Sequence, residues 1–208
     1  MNEHIGILGA GGQAEEARSF FKGKVVFFAI DDEYRNRNNT DQIDITRPND
    51  AQQLTPIVAA VGAPAVRREM VNKWPGKNFA TIIASNTYVD NDCKIGVGTI
   101  IAPGATITTD VKIGEHSILN VGASISHNCN LGDYVTVSPG ARIAGNVTLG
   151  NGVFVGIGAT ISNNVSVAPG VVIGAGAVVI HDVEIPNSVV VGCPAKSIRV
   201  NEGWLYEI

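Results

Sequence analysis

Leucine is scarce in this chain. Its 208 residues include 6 Leu, against 26 Val and 23 Ile. Leu is a good helix former, whereas Val and Ile are stiff at χ1 and favour extended backbone. The shortage argues against a helical bundle and for many strands. Cysteine is sparse as well. Cys93, Cys129 and Cys193 are odd in number and lack CxxC spacing, which argues against a disulfide framework or a structural zinc site. Basic runs are missing, and 15 Lys and Arg against 19 Asp and Glu leave a net charge of −4, so no nucleic-acid partner is expected. No apolar stretch approaches the length of a membrane span, and Met1-Asn2-Glu3-His4 lacks the layout of a signal peptide. The expectation is a cytoplasmic protein without membrane insertion.

What the chain has instead is a repeat. Stepping by six from Ile83 through Val89, Ile95, Ile101 and onward to Ile185 and Val191 gives 19 positions, all of them aliphatic. The fourth residue after each is small or Val, as in Cys93, Ala105, Ala123, Cys129 and Ala141. A period of six matches neither a helix nor a plain alternating strand. It suits a short strand and a turn, with one large and one small side chain pointing inward on each side. Three such sides form a triangular coil of 18 residues, and stacked coils pair in parallel about 4.8 Å apart. The 24 glycines serve the turns. Cys93 and Cys129 occupy the small inward slot.

Residues 1–82 have a different pattern. His4–Leu8 is apolar and strand-like, Gly9-Ala10-Gly11-Gly12 follows, and Gln13–Phe21 is helix-like. A second strand, Val25–Ile30, ends at Asp31 and Asp32. A third, Pro56–Val61, ends at Gly62 before a helical Pro64–Lys73, and the polar stretch from 36 to 53 is expected to be loop with at most a short helix. The alternation implies a Rossmann-like α/β subdomain with ligand groups at the carboxyl ends of its strands. Gly11, Gly12 and Gln13 open a helix that can receive a phosphate or hydroxyl. Asp31 and Asp32 stand where an acid can bind a ribose or base, and Gly62 ends the third strand. One mononucleotide half without its second half suits a nucleotide-linked substrate better than a dinucleotide cofactor. Of four histidines, His4 is expected at the surface, and His116 and His181 as solvated turn residues. His127 and His181 lie three coils apart, which disfavours a histidine metal site.

The chain resembles the hexapeptide-repeat acyltransferases, and within them the bacterial nucleotide-sugar N-acetyltransferases of the bacillosamine and perosamine type and the related sialic acid O-acetyltransferases. The residues that carry the resemblance are Gly9-Ala10-Gly11-Gly12, Asp31-Asp32, Asn120-Val121-Gly122-Ala123 leading into Ser126-His127-Asn128-Cys129, Gly132-Asp133-Tyr134, Ser138-Pro139-Gly140-Ala141, and Val191-Gly192-Cys193-Pro194-Ala195-Lys196. It implies a left-handed parallel β-helix over residues 83–196, a nucleotide-sugar domain over 1–82, and a tail over 197–208. It also implies a homotrimer with acetyl-CoA between subunits, acetylating the 4-amino group of a UDP-linked amino-deoxy sugar in bacterial surface-glycan or glycoprotein sugar biosynthesis.

In that reading His127 is the general base. Gly145, one coil further on, offers its N–H to the oxyanion, and Asn120 orients substrate or base. Asn128 stands where relatives carry Asp or Glu, so it can accept from the ring N–H but brings no charge. Thr136 replaces a second histidine near the cofactor, and Gln13 replaces a histidine of the glycine loop. Thr136, Ile157 and Ala175 match cofactor contacts. Pro139, Ile157, Ala175 and Cys193 form one column 18 residues apart, and Lys196 can meet a CoA phosphate. No metal is expected. Two alternatives stay open: O-acetylation of a sialic-acid-type sugar, and a non-catalytic scaffold.

Overall fold

A computed structural model describes residues 3–204; positions 205–208 of the expected tail lie outside the described residues. The N-terminal part holds four parallel strands, β1 (His4–Leu8), β2 (Lys24–Ile30), β3 (Gln42–Asp44) and β4 (Ile57–Ala59), in spatial order β3-β2-β1-β4. Helices α1 (Gly12–Phe20), α2 (Asp50–Leu54) and α3 (Pro64–Lys73) connect or follow them. β3 falls inside the stretch expected to be loop, and α2 is a short helix of the kind that expectation allowed. Gln42-Ile43-Asp44 has one aliphatic residue and no alternation long enough to read, so only pairing with β2 makes it a strand. α2 is a single capped turn, with Asn49 accepting from the Gln52 N–H and Gln52 from the Asn49 N–H.

From Ile82 onward the chain winds as a three-sided parallel β-helix. Two-residue strands pair with those 18 positions away, as Ile118–Leu119 does with Thr136–Val137 and Ser124–Ile125 with Arg142–Ile143. The inward positions from Ile101 to Val179 form one continuous core with their small partners Ala105, Ala123, Cys129, Ala141 and Ala159. Burying one such Val or Ile contributes roughly 1.5–3 kcal/mol, so the repeat is the main source of cohesion. The repeat frays at both ends. Ile83 is 47% exposed because no coil lies beneath it, and Ile185 is 58% exposed. At the far end the phase slips, so Val183 and Val190, not Ile185 and Val191, pack onto the core.

The three faces differ in what points outward. Two carry polar or charged residues, such as Lys94, Lys112 and Asn130, or Thr106, Ser124 and Arg142. The third carries Ile82, Ile100 and Ile118, which are buried against Ile5, Ile7, Ala14, Ala17 and Val58 of the α/β part. This apolar face is the seat on which the N-terminal part docks.

The three corners differ as well. At one, Gly104, Gly122, Gly140, Gly158 and Gly176 have positive φ, and a side chain built at Gly122, Gly140, Gly158 or Gly176 would meet nothing within 4 Å. At the second, Asp110, Asn128, Asn146 and Asn164 take the left-handed conformation, to which Asn and Asp are better suited than other side chains. At the third, two bulky residues do so: His116 (φ 53°) and Tyr134 (φ 58°).

Candidate active site

The third corner explains how the two parts are locked. Arg67 on α3 is fully buried and has no carboxylate partner among the described residues. Its Nε donates to the His116 carbonyl at 2.7 Å, Nη2 to the Tyr134 carbonyl at 2.7 Å and to Thr136 Oγ1 at 3.0 Å, and Nη1 to the Val61 carbonyl at 2.6 Å. The left-handed turns at His116 and Tyr134 thus occur at two residues whose carbonyls receive this guanidinium. Burial pushes Arg67 down to about 9, so it remains charged near neutral pH. Thr136 closes the junction by donating to the Gly62 carbonyl at 2.7 Å.

His116 is buried, not solvated as its turn position suggested. Its ring packs edge-on to Phe79 and stacks with Tyr134, and its Nδ1 is buried without a partner among the described residues. Burial, then the nearby Arg67 charge, pushes it down to about 4, with Asp133 pulling the other way.

Beside this junction opens a cleft of about 520 Å³. Gly12, Gln13, Glu16 and Gly62 line it from the α/β part, and Asn120, Thr136, Ser138, Pro139, Phe154, Gly156, Ile157 and Ala175 from the coil. Gly9 makes the approach possible. Its φ is +104°, and a Cβ there would meet the Val61 side chain at 2.9 Å and the Ala60 carbonyl at 3.1 Å. Gly11 caps α1 without any side-chain hydrogen bond, so the first N–H groups of the helix are open to a ligand. Gln13 contributes a buried Nε2 that has no partner among the described residues. Such a donor is costly unless something binds it.

The cleft therefore gathers Gly12, Gln13, Gly62, Asn120, Thr136, Ile157 and Ala175 from the residues expected to bind substrate or cofactor. Cys193, the last of its column, and Lys196 lie outside the lining, on the terminal antiparallel hairpin. Asp31 and Asp32 are also outside it. Asp31 is held by Lys73 at 3.0 Å, and Asp32 by Arg35 at 2.8 Å and Arg37 at 3.0 Å. Lys73 in turn is held above the usual lysine range by Glu69 and Asp31. Phe154 and Glu16 were not foreseen in the cleft. The 18-residue step from Thr136 leads to Phe154, and Glu16 lies one helical turn beyond Gly12.

His127 stands elsewhere, exposed at the second corner and separated from the cleft by one face of the coil. Its Nδ1 lies 2.8 Å from Asn128 Oδ1. Its ring rests against Gly145, where an added Cβ would come 2.5 Å from Cε1 and 2.6 Å from Nε2. The Gly145 N–H makes no hydrogen bond among the described residues, so it is free to donate beside the ring.

Comparison with solved structures places this geometry. The acetyltransferase domain of PglB from Neisseria gonorrhoeae superimposes with a TM-score of 0.82 at 25% identity, covering 95% of this chain and 100% of that one. PerB from Caulobacter crescentus, solved in complex with CoA and GDP-perosamine, gives 0.81 at 25%, covering 93% and 96%. WeeI from Acinetobacter baumannii gives 0.79 at 27%, covering 94% and 100%. Over nearly its whole length the chain is similar to bacterial sugar N-acetyltransferases of the hexapeptide-repeat type. The resemblance read from the sequence is borne out over nearly the whole length. No protein-family model and no curated protein sequence matches the chain. Among the described residues no helix is long and apolar enough to cross a membrane, and no three His, Cys, Asp or Glu gather as a metal site.

Proposed function

We propose that the chain transfers acetyl from acetyl-CoA to the 4-amino group of a UDP-linked amino-deoxy sugar. Residues 1–82, for which the β3-β2-β1-β4 order supports a Rossmann-like reading, hold the nucleotide sugar, and the left-handed β-helix of residues 83–196 holds acetyl-CoA. The observation that carries this reading is the cleft, which joins the helix opening at Gly12 and Gln13 to the coil column of Pro139, Ile157 and Ala175.

In the transfer, the sugar amine attacks the thioester carbonyl carbon, a C–N bond forms and the C–S bond breaks. His127 Nε2 takes the amine proton, the Gly145 N–H donates to the oxyanion, and CoA leaves as thiolate and gains a proton. Asn120, buried and donating to the Val137 carbonyl at 3.1 Å, positions groups at the cleft wall. Asp31 and Asp32 supply acceptors for ribose or base at the end of β2, and Lys196 supplies a cation for a CoA phosphate. Because His127 and the cleft occupy different sides of one coil, a complete site needs the cleft of one subunit and the histidine of another, which supports a homotrimer. Bacterial surface-glycan or glycoprotein sugar biosynthesis, in the cytoplasm, is the setting this chemistry fits.

The test is release of free CoA thiol with UDP-, dTDP- and GDP-linked 4-amino sugars and with free sialic acid. Turnover on a UDP-linked amine, abolished by His127→Ala with the oligomer intact, is expected. Full turnover of His127→Ala would sink the assignment of the base.

A further inference from the structure

The asparagines and aspartate of the His127 corner are stacked 18 residues apart, and their side-chain bonds do not run continuously. Asn128 Nδ2 donates back to Asp110 Oδ2 at 2.9 Å. Asn146 Nδ2 donates forward to Asn164 Oδ1 at 3.2 Å. Between Asn128 and Asn146 no side-chain bond is made among the described residues. The interruption falls at the coil that carries His127, and it leaves Asn128 Oδ1 for the ring, 2.8 Å from Nδ1.

An amide can present either end to a neighbour, but a carboxylate only accepts. Asp110 therefore requires the Nδ2 end of Asn128, and the Oδ1 end must then face His127. An oxygen at that place accepts only from an Nδ1–H ring, and this tautomer leaves Nε2 with its lone pair. We propose that Asp110 is a positioning residue that acts through Asn128 to hold His127 in the Nδ1–H tautomer, with Nε2 free to take a proton. The inference rests on His127 being the base.

One coil before Asp110 stands Asp92, whose carboxylate accepts from the Thr109 hydroxyl and the Asp110 N–H. It holds the Asp110 backbone and makes no hydrogen bond to Asn128 among the described residues. A merely structural ladder would need only some bonding partner at position 110, whereas the proposed role needs an acceptor there.

Asp110 is exposed and has φ 53°, so Asp110→Gly removes the carboxylate without backbone strain. Nitrogen-15 spectra of the full-length protein, recorded where the ring is neutral, report the tautomer of His127 without any ligand. The expected result is an Nδ1–H ring in the unaltered chain and mixed tautomers in Asp110→Gly. In Asp110→Asn, whose amide oxygen can still accept from Asn128, the Nδ1–H form should return. With acetyl-CoA and the amino sugar that turns over in the panel above, kcat of Asp110→Gly should fall roughly threefold to tenfold with KM unchanged. An Nδ1–H ring and unchanged kcat in Asp110→Gly would overturn the proposal. Full turnover of His127→Ala would instead remove the base, and the tautomer spectra would still decide what Asp110 does.

Discussion

The ring of His127 lies where a side chain of Gly145 would be. A Cβ at position 145 would stand 2.5 Å from His127 Cε1, closer than nonbonded carbons approach. The Gly145 backbone is not in the positive-φ region, so the glycine is needed for space and not for conformation. Gly145→Ala should displace the imidazole and lower kcat by roughly tenfold to a hundredfold. Because the ring is exposed and can swing outward, the melting temperature should stay close to that of the unaltered protein. Turnover and thermal melts on the same sample check both halves.

Arg67 should be among the most costly residues to remove. Arg67→Met would strand the carbonyls of His116, Tyr134 and Val61 in a buried junction. A loss of about 3–5 kcal/mol is expected, read as a lower urea midpoint. Arg67→Lys should recover little of it, since one ammonium cannot reach the same spread of acceptors.

His116 makes stability depend on acid. Its folded value of about 4 lies below the roughly 6.5 of an unfolded histidine. Between those values the unfolded chain binds more protons, so stability falls as pH drops through that window, by about 3 kcal/mol at most. His116→Phe keeps a ring between Phe79 and Tyr134 and removes the titration. Denaturation midpoints at pH 7 and pH 4.5 should differ less in this variant than in the unaltered chain.

Ala175 is exposed within the cleft wall. Ala175→Phe should obstruct the column it shares with Ile157 and weaken acetyl-CoA binding by about tenfold or more, with little change in melting temperature. Calorimetric titration with acetyl-CoA measures it, and unchanged affinity would place the cofactor elsewhere.

Much of the fold was legible because the repeat is local. Each hexad states its own inward residue, and neighbouring hexads repeat the statement, so the core from Ile101 to Val179 could be read without coordinates. The docking face was equally legible, though easily passed over: Ile82, Ile100 and Ile118 stand where the other faces carry Lys, Thr or Ser. β3 was not legible, since three residues with a single aliphatic acquire strand character only from a partner. Nor was the burial of His116, whose turn position is exposed at the other corners and is covered here by α3 and Phe79. Within the site, the 18-residue column found Pro139, Ile157 and Ala175 and the resemblance supplied Thr136, while Cys193 left the cleft because the phase of the repeat slips after Val179.

By itself the sequence determined the prism, its period and its inward residues, because strand and turn preferences act over a few neighbouring positions. Only the tertiary structure decided which corner receives Arg67, which end of Asn128 faces His127, and that the histidine and the cleft occupy different sides of one chain. Those outcomes depend on backbone carbonyls and on residues brought together from far apart. A carbonyl is present at every position and leaves no mark in a sequence.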